Sequence, residues 1–231
     1  MPSVGPAKIL PSINMKATFF ALLLSTFAYA APILEERQST GTTANEYTRS
    51  GCKDIIFFFA RGSTEVGNMG SSVGPPTADG IKSAFGSSRV AVEGVDYGAL
   101  LSTNFNPGGS DYAGISEMKS LFQDAASKCP NSAIVAGGYS QGAALVHRAI
   151  ENLSSSVKDK IVGVVTYGDT QNLQDGGQIP NFPRAKVLVI CNTGDAVCAG
   201  TLTILAPHLD YVRRVPEAVS FLNGKLTAAG K

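Results

Sequence analysis

Beyond residue 50 the chain alternates short aliphatic and β-branched runs with stretches whose apolar positions return every three or four residues. Five runs read as strands, at residues 55–60, 89–95, 133–137, 161–167 and 186–190. Each is nearly continuous in apolar character, as expected of strands covered on both faces, which predicts a mostly parallel sheet. Between them, Ile115, Met118, Phe122 and Ala125 recur at helical spacing until Pro130. Val219, Leu222 and Leu226 do the same after a helix-starting Pro216. Both stripes predict core-facing helices and imply no cofactor. The pattern is that of one three-layer α/β domain, a helix-sheet-helix sandwich around five strands, with no internal repeat.

The amino-terminal region follows a different rule. Residues 17–31 are apolar apart from Thr18, Ser25 and Thr26, follow Lys16 and end on Ala28-Tyr29-Ala30 and Ala31. That is the charged start, short apolar centre and small-residue cleavage site of a secretory signal, and fifteen residues are too few to span a bilayer. Residues 1–30 are therefore read as a signal, with Met15 the better start. Residues 31–37, closing on Glu35-Glu36-Arg37, read as a propeptide, and the polar, aperiodic residues 38–50 as a flexible lead-in to a domain over 51–231.

Composition narrows the function. The 231 residues carry 19 Lys and Arg against 18 Asp and Glu, a net +1 that excludes an extended nucleic-acid-binding face. At 44% hydrophobic and 16% charged, the chain is neither disordered nor a coiled coil. Removing residues 1–37 takes away Lys8, Lys16, Arg37, Glu35 and Glu36 and leaves 16 charges of each sign, which suits an uncharged substrate. Secretion places Cys52, Cys129, Cys191 and Cys198 in an oxidising compartment, where an even number reads as disulfides. Cys191 and Cys198 are close enough for a local clip, which leaves Cys52 with Cys129. A zinc site is the rival reading, but there is no Cys-x-x-Cys pair, and neither His147 nor His208 is spaced as a ligand beside the cysteines. Asn152-Leu153-Ser154 is an N-glycosylation sequon.

The third strand runs into Gly138-Tyr139-Ser140-Gln141-Gly142 and then into a helical stretch, 143–153. In a strand-to-helix context Gly-x-Ser-x-Gly is a nucleophile turn: side chains at the glycine positions would collide with neighbouring elements, and the bend pushes the serine Oγ outward. The Gln141 N–H at the helix start then points at a developing oxyanion. Serine needs a base. His147 lies seven residues further along the same helix, about 10 Å along the axis and out of reach, so it reads as a helix-surface residue. His208, after the last strand, can fold back over Ser140. The acid should fall between serine and histidine in the chain, where Asp159, Asp169, Asp175 and Asp195 all qualify by order. Asp195 follows a strand and lies inside the 191–198 clip; Asp169, also just past a strand end, is the rival, with capping of a turn as its alternative role.

A second oxyanion donor is expected after the first strand, where Ser63 offers both N–H and Oγ unless Arg61-Gly62-Ser63 is a plain solvent-facing turn. Two loops, 99–101 with Phe105 and 202–205 leading to His208, are unexpectedly apolar. They form either a rim for acyl chains or additional core.

Residues 59–65 (Phe-Ala-Arg-Gly-Ser-Thr-Glu), 137–142, 191–198 (Cys-Asn-Thr-Gly-Asp-Ala-Val-Cys) and 206–209 (Ala-Pro-His-Leu), in this order, together resemble the fungal cutinases from about residue 51 to the C-terminus. The resemblance implies a secreted, lidless α/β-hydrolase fold and a triad of Ser140, His208 and Asp195, raising Asp195 above Asp169. It further implies an oxyanion hole from Ser63 and Gln141 supported by Asn104, substrate contacts from Leu101, Tyr139, Ile204 and Leu209, and disulfides Cys52–Cys129 and Cys191–Cys198. The activity implied is a serine esterase acting through an acyl-enzyme on plant cutin or another aliphatic polyester and on short-chain soluble esters. It needs no cofactor or metal, and it acts as a monomer without nucleic acid or a membrane span. Acetylxylan esterases share much of this pattern but carry more cysteines. The alternative from another class is a non-catalytic secreted surface-binding protein on the same fold.

Overall fold

The computed structural model describes residues 1–6, 8 and 39–231. The chain divides into two units, Met1–Glu36 and Arg37–Lys231. Apart from residues 1–6 and 8, the expected signal and propeptide lie outside the described residues, and everything below concerns the second unit.

Its elements, in chain order, are α1 (Glu46–Ser50), β1 (Ile55–Ala60), α2 (Gly74–Phe85), β2 (Val90–Gly94), α3 (Tyr112–Lys128), β3 (Ala133–Tyr139), α4 (Gln141–Glu151), α5 (Ser155–Lys160), β4 (Ile161–Tyr167), β5 (Val187–Ile190) and α6 (Val215–Ala228). The strands form one sheet in the order β2-β1-β3-β4-β5, every pairing parallel. Strand β1 shows why five apolar runs fold this way. Ile56, Phe58 and Ala60 point into a core with Met118, Phe122 and Leu145 of α3 and α4, whereas Ile55, Phe57 and Phe59 point into a second core with Ile81 of α2 and Leu222 of α6. Both faces are covered, so a continuous apolar run costs no exposed surface. Phe58 meets Tyr47 and Phe122 edge-on at 5.6 and 5.4 Å.

Helix α2 opens Gly74-Pro75-Pro76 and carries Gly80 at its closest approach to α6, where an added Cβ would sit 2.4 Å from Val219 Cγ2. The sheet order reverses direction between β1 and β3. Chain leaving β1 passes to one face and chain leaving β3 to the other, which opens a crevice at their carboxyl ends where α/β proteins bind ligands.

Residues 39–50 correct the expected flexible lead-in, because they are packed. Tyr47 is buried and its hydroxyl donates to Asp124 of α3 at 2.6 Å. Asn45 bridges to Glu93, and the Glu46 carboxylate accepts from Lys82 and from the Val92 N–H. The segment docks mainly through polar groups, so it carries no apolar period. Among the described residues no helix is long and apolar enough to cross a membrane.

Candidate active site

Ser140 sits between the end of β3 and the start of α4 with φ 54° and ψ −119°, a backbone region that L residues other than glycine seldom occupy. The flanking glycines make the bend possible. A Cβ at Gly138 would lie 2.3 Å from Gly142 O, and one at Gly142 would lie 2.0 Å from Ala60 O of β1. The Ser140 N–H donates to Tyr167 O of β4, anchoring the bend to the sheet. Gln141 is the first residue of α4, so its N–H belongs to the turn that lacks intrahelical acceptors.

The structure brings Ser140, His208 and Asp195 into line. His208 Nε2 is 3.0 Å from Ser140 Oγ, and His208 Nδ1 is 2.9 Å from Asp195 Oδ2. With the proton on Nδ1 directed to the carboxylate, Nε2 is left as the acceptor for the serine hydroxyl. All three residues are buried. His208 lies in a single 3₁₀ turn, Ala206–Leu209. Asn192 holds that turn on both sides, its Nδ2 donating to Pro207 O at 2.8 Å and Asp210 O at 2.9 Å. The ring of Tyr139 stacks on the imidazole with centroids 5.4 Å apart, and its hydroxyl donates to His208 O. Asp195 lies inside the Cys191–Cys198 disulfide loop, and the second disulfide joins Cys52 to Cys129.

Residues 61–65 form a braced loop rather than a solvent-facing turn. Arg61 is buried; its guanidinium donates to Glu65 O and Tyr97 O and lies 4.9 Å above the Tyr97 ring. Asn104 Nδ2 donates to Ser63 Oγ at 2.9 Å. The facing segment, residues 97–105, is fixed by Thr64 N–H to Ala99 O and by Gln141 Nε2 to Leu100 O. Ser63, Ser140 and His208 line a cleft of about 310 Å³ together with Leu101, Ile204 and Leu209. Those three apolar side chains are 61, 47 and 67% exposed. Apart from the buried Ala99, the two apolar loops therefore stand at the surface around the cleft and do not extend the core.

A family profile described as Cutinase matches residues 51–226. The chain belongs to the cutinase family. A cutinase of Pyricularia oryzae is 50% identical to it over 204 residues, covering 88% of this chain and 95% of that one. Cutinase 2 of Fusarium vanettenii is 50% identical over 207 residues, covering 84% of this chain and 89% of that one. Among solved structures, a Trichoderma reesei cutinase in complex with a C11Y4 phosphonate inhibitor is 36% identical, with a TM-score of 0.72 over 80% of each chain. This cutinase is a carboxylic ester hydrolase of the serine esterase type.

His147 corrects its reading as a helix-surface residue. Its side chain is fully buried, with Nε2 2.9 Å from Asp169 Oδ2 and Nδ1 2.7 Å from Asp175 Oδ2. The chain after β4 folds over α4 and supplies both carboxylates, something helix position alone does not reveal. Burial by itself would lower the imidazole pKa, but the charge of Asp169 and the hydrogen bonds to Asp169 and Asp175 outweigh it and raise the value to about 9. Asp169 also accepts from Thr166 Oγ1 and from the Gln171 N–H, so it both caps a turn and pairs with His147.

Sequence reasoning gave no role to three residues of the cutinase site. Glu65 accepts from the N–H groups of Gly62, Ser71 and Ser72 and so closes the 61–65 loop. Asn192 and Tyr211 frame His208 and Asp195. Glu65 and Asn192 stood within the quoted motifs, so the signal was present; Tyr211 lay two residues beyond the last motif.

Proposed function

We propose that this cutinase is secreted and hydrolyses cutin and other neutral aliphatic esters with Ser140 as nucleophile, His208 as base and Asp195 as the residue orienting His208. The continuous contact from Asp195 through His208 to Ser140 Oγ supports this reading above all else. As Oγ attacks the ester carbonyl carbon, Nε2 takes its proton. The oxyanion that forms is received by the N–H groups of Ser63 and Gln141 and by the Ser63 hydroxyl. Asn104 donates to Ser63 Oγ, which occupies a lone pair and leaves the hydroxyl hydrogen to turn toward the oxyanion. Collapse expels the alcohol with the proton from His208, and water then attacks the acyl-enzyme by the same route in reverse.

Leu101, Ile204, Leu209 and the Tyr139 ring contact the acyl chain, and the apolar mouth and formal neutrality of residues 38–231 favour uncharged substrates. The apolar segment at 17–31 and the two disulfides support export, and the enzyme acts as a monomer without cofactor.

The test is burst release from a p-nitrophenyl ester. Ser140→Ala should lose the burst and lower kcat by about 10⁴-fold or more. A Ser140→Ala protein as fast as wild type sinks the reading. A competition assay on cutin and acetylated xylan separates the two ester classes.

A further inference from the structure

Asp195 Oδ2 receives two donors. One is His208 Nδ1 at 2.9 Å; the other is the Tyr211 hydroxyl at 2.6 Å. The second carboxylate oxygen, Oδ1, accepts the Val197 N–H at 2.9 Å. Tyr211 is buried, and its phenol oxygen accepts the main-chain N–H of Asn192 at 2.9 Å. That leaves the phenol one hydrogen to give, and Asp195 is the strong acceptor within reach; the nearby Cys198 sulfur, at 3.8 Å, is a weak one. The ring stands edge-on to His208 with centroids 6.2 Å apart and packs on Tyr139 and Tyr167, which holds the phenol oxygen in place beside Asp195.

We propose that Tyr211 is a positioning residue for the Asp195–His208 pair, its phenol hydrogen bond fixing the carboxylate and drawing charge away from Oδ2. This rests on the Ser140, His208 and Asp195 assignment above. A hydrogen bond to an ionised carboxylate is short and strong, and two donors on one oxygen compete for its electron density. The phenol therefore limits how tightly the carboxylate binds a protonated imidazole. It sets the balance between holding the proton taken from Ser140 and passing it to the leaving alcohol. Burial, and then the bond to Asp195, push the phenol pKa upward, so Tyr211 remains a neutral donor throughout the working pH range.

The direction of the effect follows. Without the phenol, Oδ2 presents more charge to Nδ1, His208 keeps its proton to higher pH, and the acid limb of the kcat/KM profile moves up. In Tyr211→Phe, assayed on a soluble p-nitrophenyl ester, that limb should move up by about half a unit or more, roughly threefold in rate at a fixed pH on the limb. Plateau kcat should fall about tenfold with KM within twofold, and the low-field Nδ1–H proton resonance of His208 should move further downfield.

A tyrosine serving only to pack the core would change thermal stability and move neither the limb nor the resonance. Site-specific 3-fluorotyrosine at position 211 keeps the shape and donates more strongly. It should shift the limb to lower pH even if the phenylalanine variant folds poorly. Wild-type acid limbs in both proteins, or an upward shift with fluorotyrosine, overturn the proposal. Should Ser140→Ala be inactive while both limbs stay put, only the Tyr211 assignment falls. Should Ser140→Ala remain active, the site reading falls with it.

Discussion

His147 Nε2 lies 2.9 Å from Oδ2 of Asp169, and neither side chain has any exposure to solvent. With Asp175 on Nδ1, and Arg148 bonded to that same carboxylate, the imidazolium ties α4 to the segment after β4. That segment carries Thr170, which lines the cleft. The folded-state pKa of about 9 stands above the ordinary 6.5, so the stabilisation is complete below 6.5 and fades as pH rises through 9. Asp169, held below its ordinary 3.8, contributes above that value and loses its contribution as pH falls. His147→Leu leaves a buried carboxylate uncompensated and should cost about 3 to 5 kcal/mol near pH 6. Thermal melts of variant and wild type should converge from pH 6 to 10; a constant gap would mean that His147 does not act through its charge.

Asn104 donates to Ser63 Oγ and also lines the cleft. Asn104→Ala should lower kcat about tenfold on acetyl and hexanoyl esters alike, with little change in KM, because the bond it removes matters as the oxyanion develops. A KM effect that grows with chain length would make Asn104 a substrate contact instead.

Ile204 is half exposed at the mouth of the cleft. Ile204→Ala should weaken turnover of long acyl esters by about 1 kcal/mol and leave acetyl esters nearly unchanged. Equal loss on both would show that its loop packs the fold and does not read substrate.

The two disulfides should separate stability from activity. Cys52–Cys129 closes a separation of 77 residues and Cys191–Cys198 one of 7. Loop-closure entropy then assigns them about 4.5 and about 2.4 kcal/mol. Serine substitution of the long pair should lower Tm more, and substitution of the short pair, which encloses Asp195, should lower kcat more. The reverse order in a paired melt and rate measurement would refute the division.

Asn152 caps the C-terminal end of α4 and is exposed, which leaves its sequon accessible. Intact mass of secreted protein should drop by a glycan on enzymatic deglycosylation; an unchanged mass would show the sequon to be empty.

The sheet was legible because burial on both faces writes itself as an unbroken apolar run: β1 and β4 have the expected ends, and the other three differ by two residues or fewer at any end. Ser140 was legible for a steric reason, since only glycine fits at 138 and 142. Elements held by polar contacts or close approach were not. Helix α2, with Gly74-Pro75-Pro76 at its start and Gly80 within, lacks a clean apolar stripe because α6 comes so near. Tyr47, Glu46 and His147 were misread because their partners, Asp124, Lys82 and Asp169, lie 22 to 77 residues away, beyond any local pattern.

The two walls of the cleft differ in how freely they can be altered. Leu101 shares the 97–105 segment with Asn104, and that segment is bonded to Thr64 and Gln141. A change of width on that side is transmitted to Ser63 and Gln141, the groups proposed to meet the oxyanion. Ile204 stands beyond the disulfide loop, in a stretch with few bonds to the rest of the site. On the proposed reading, an engineer would find in the Ile204 wall the dial for substrate girth and in the Leu101 wall a part geared to rate.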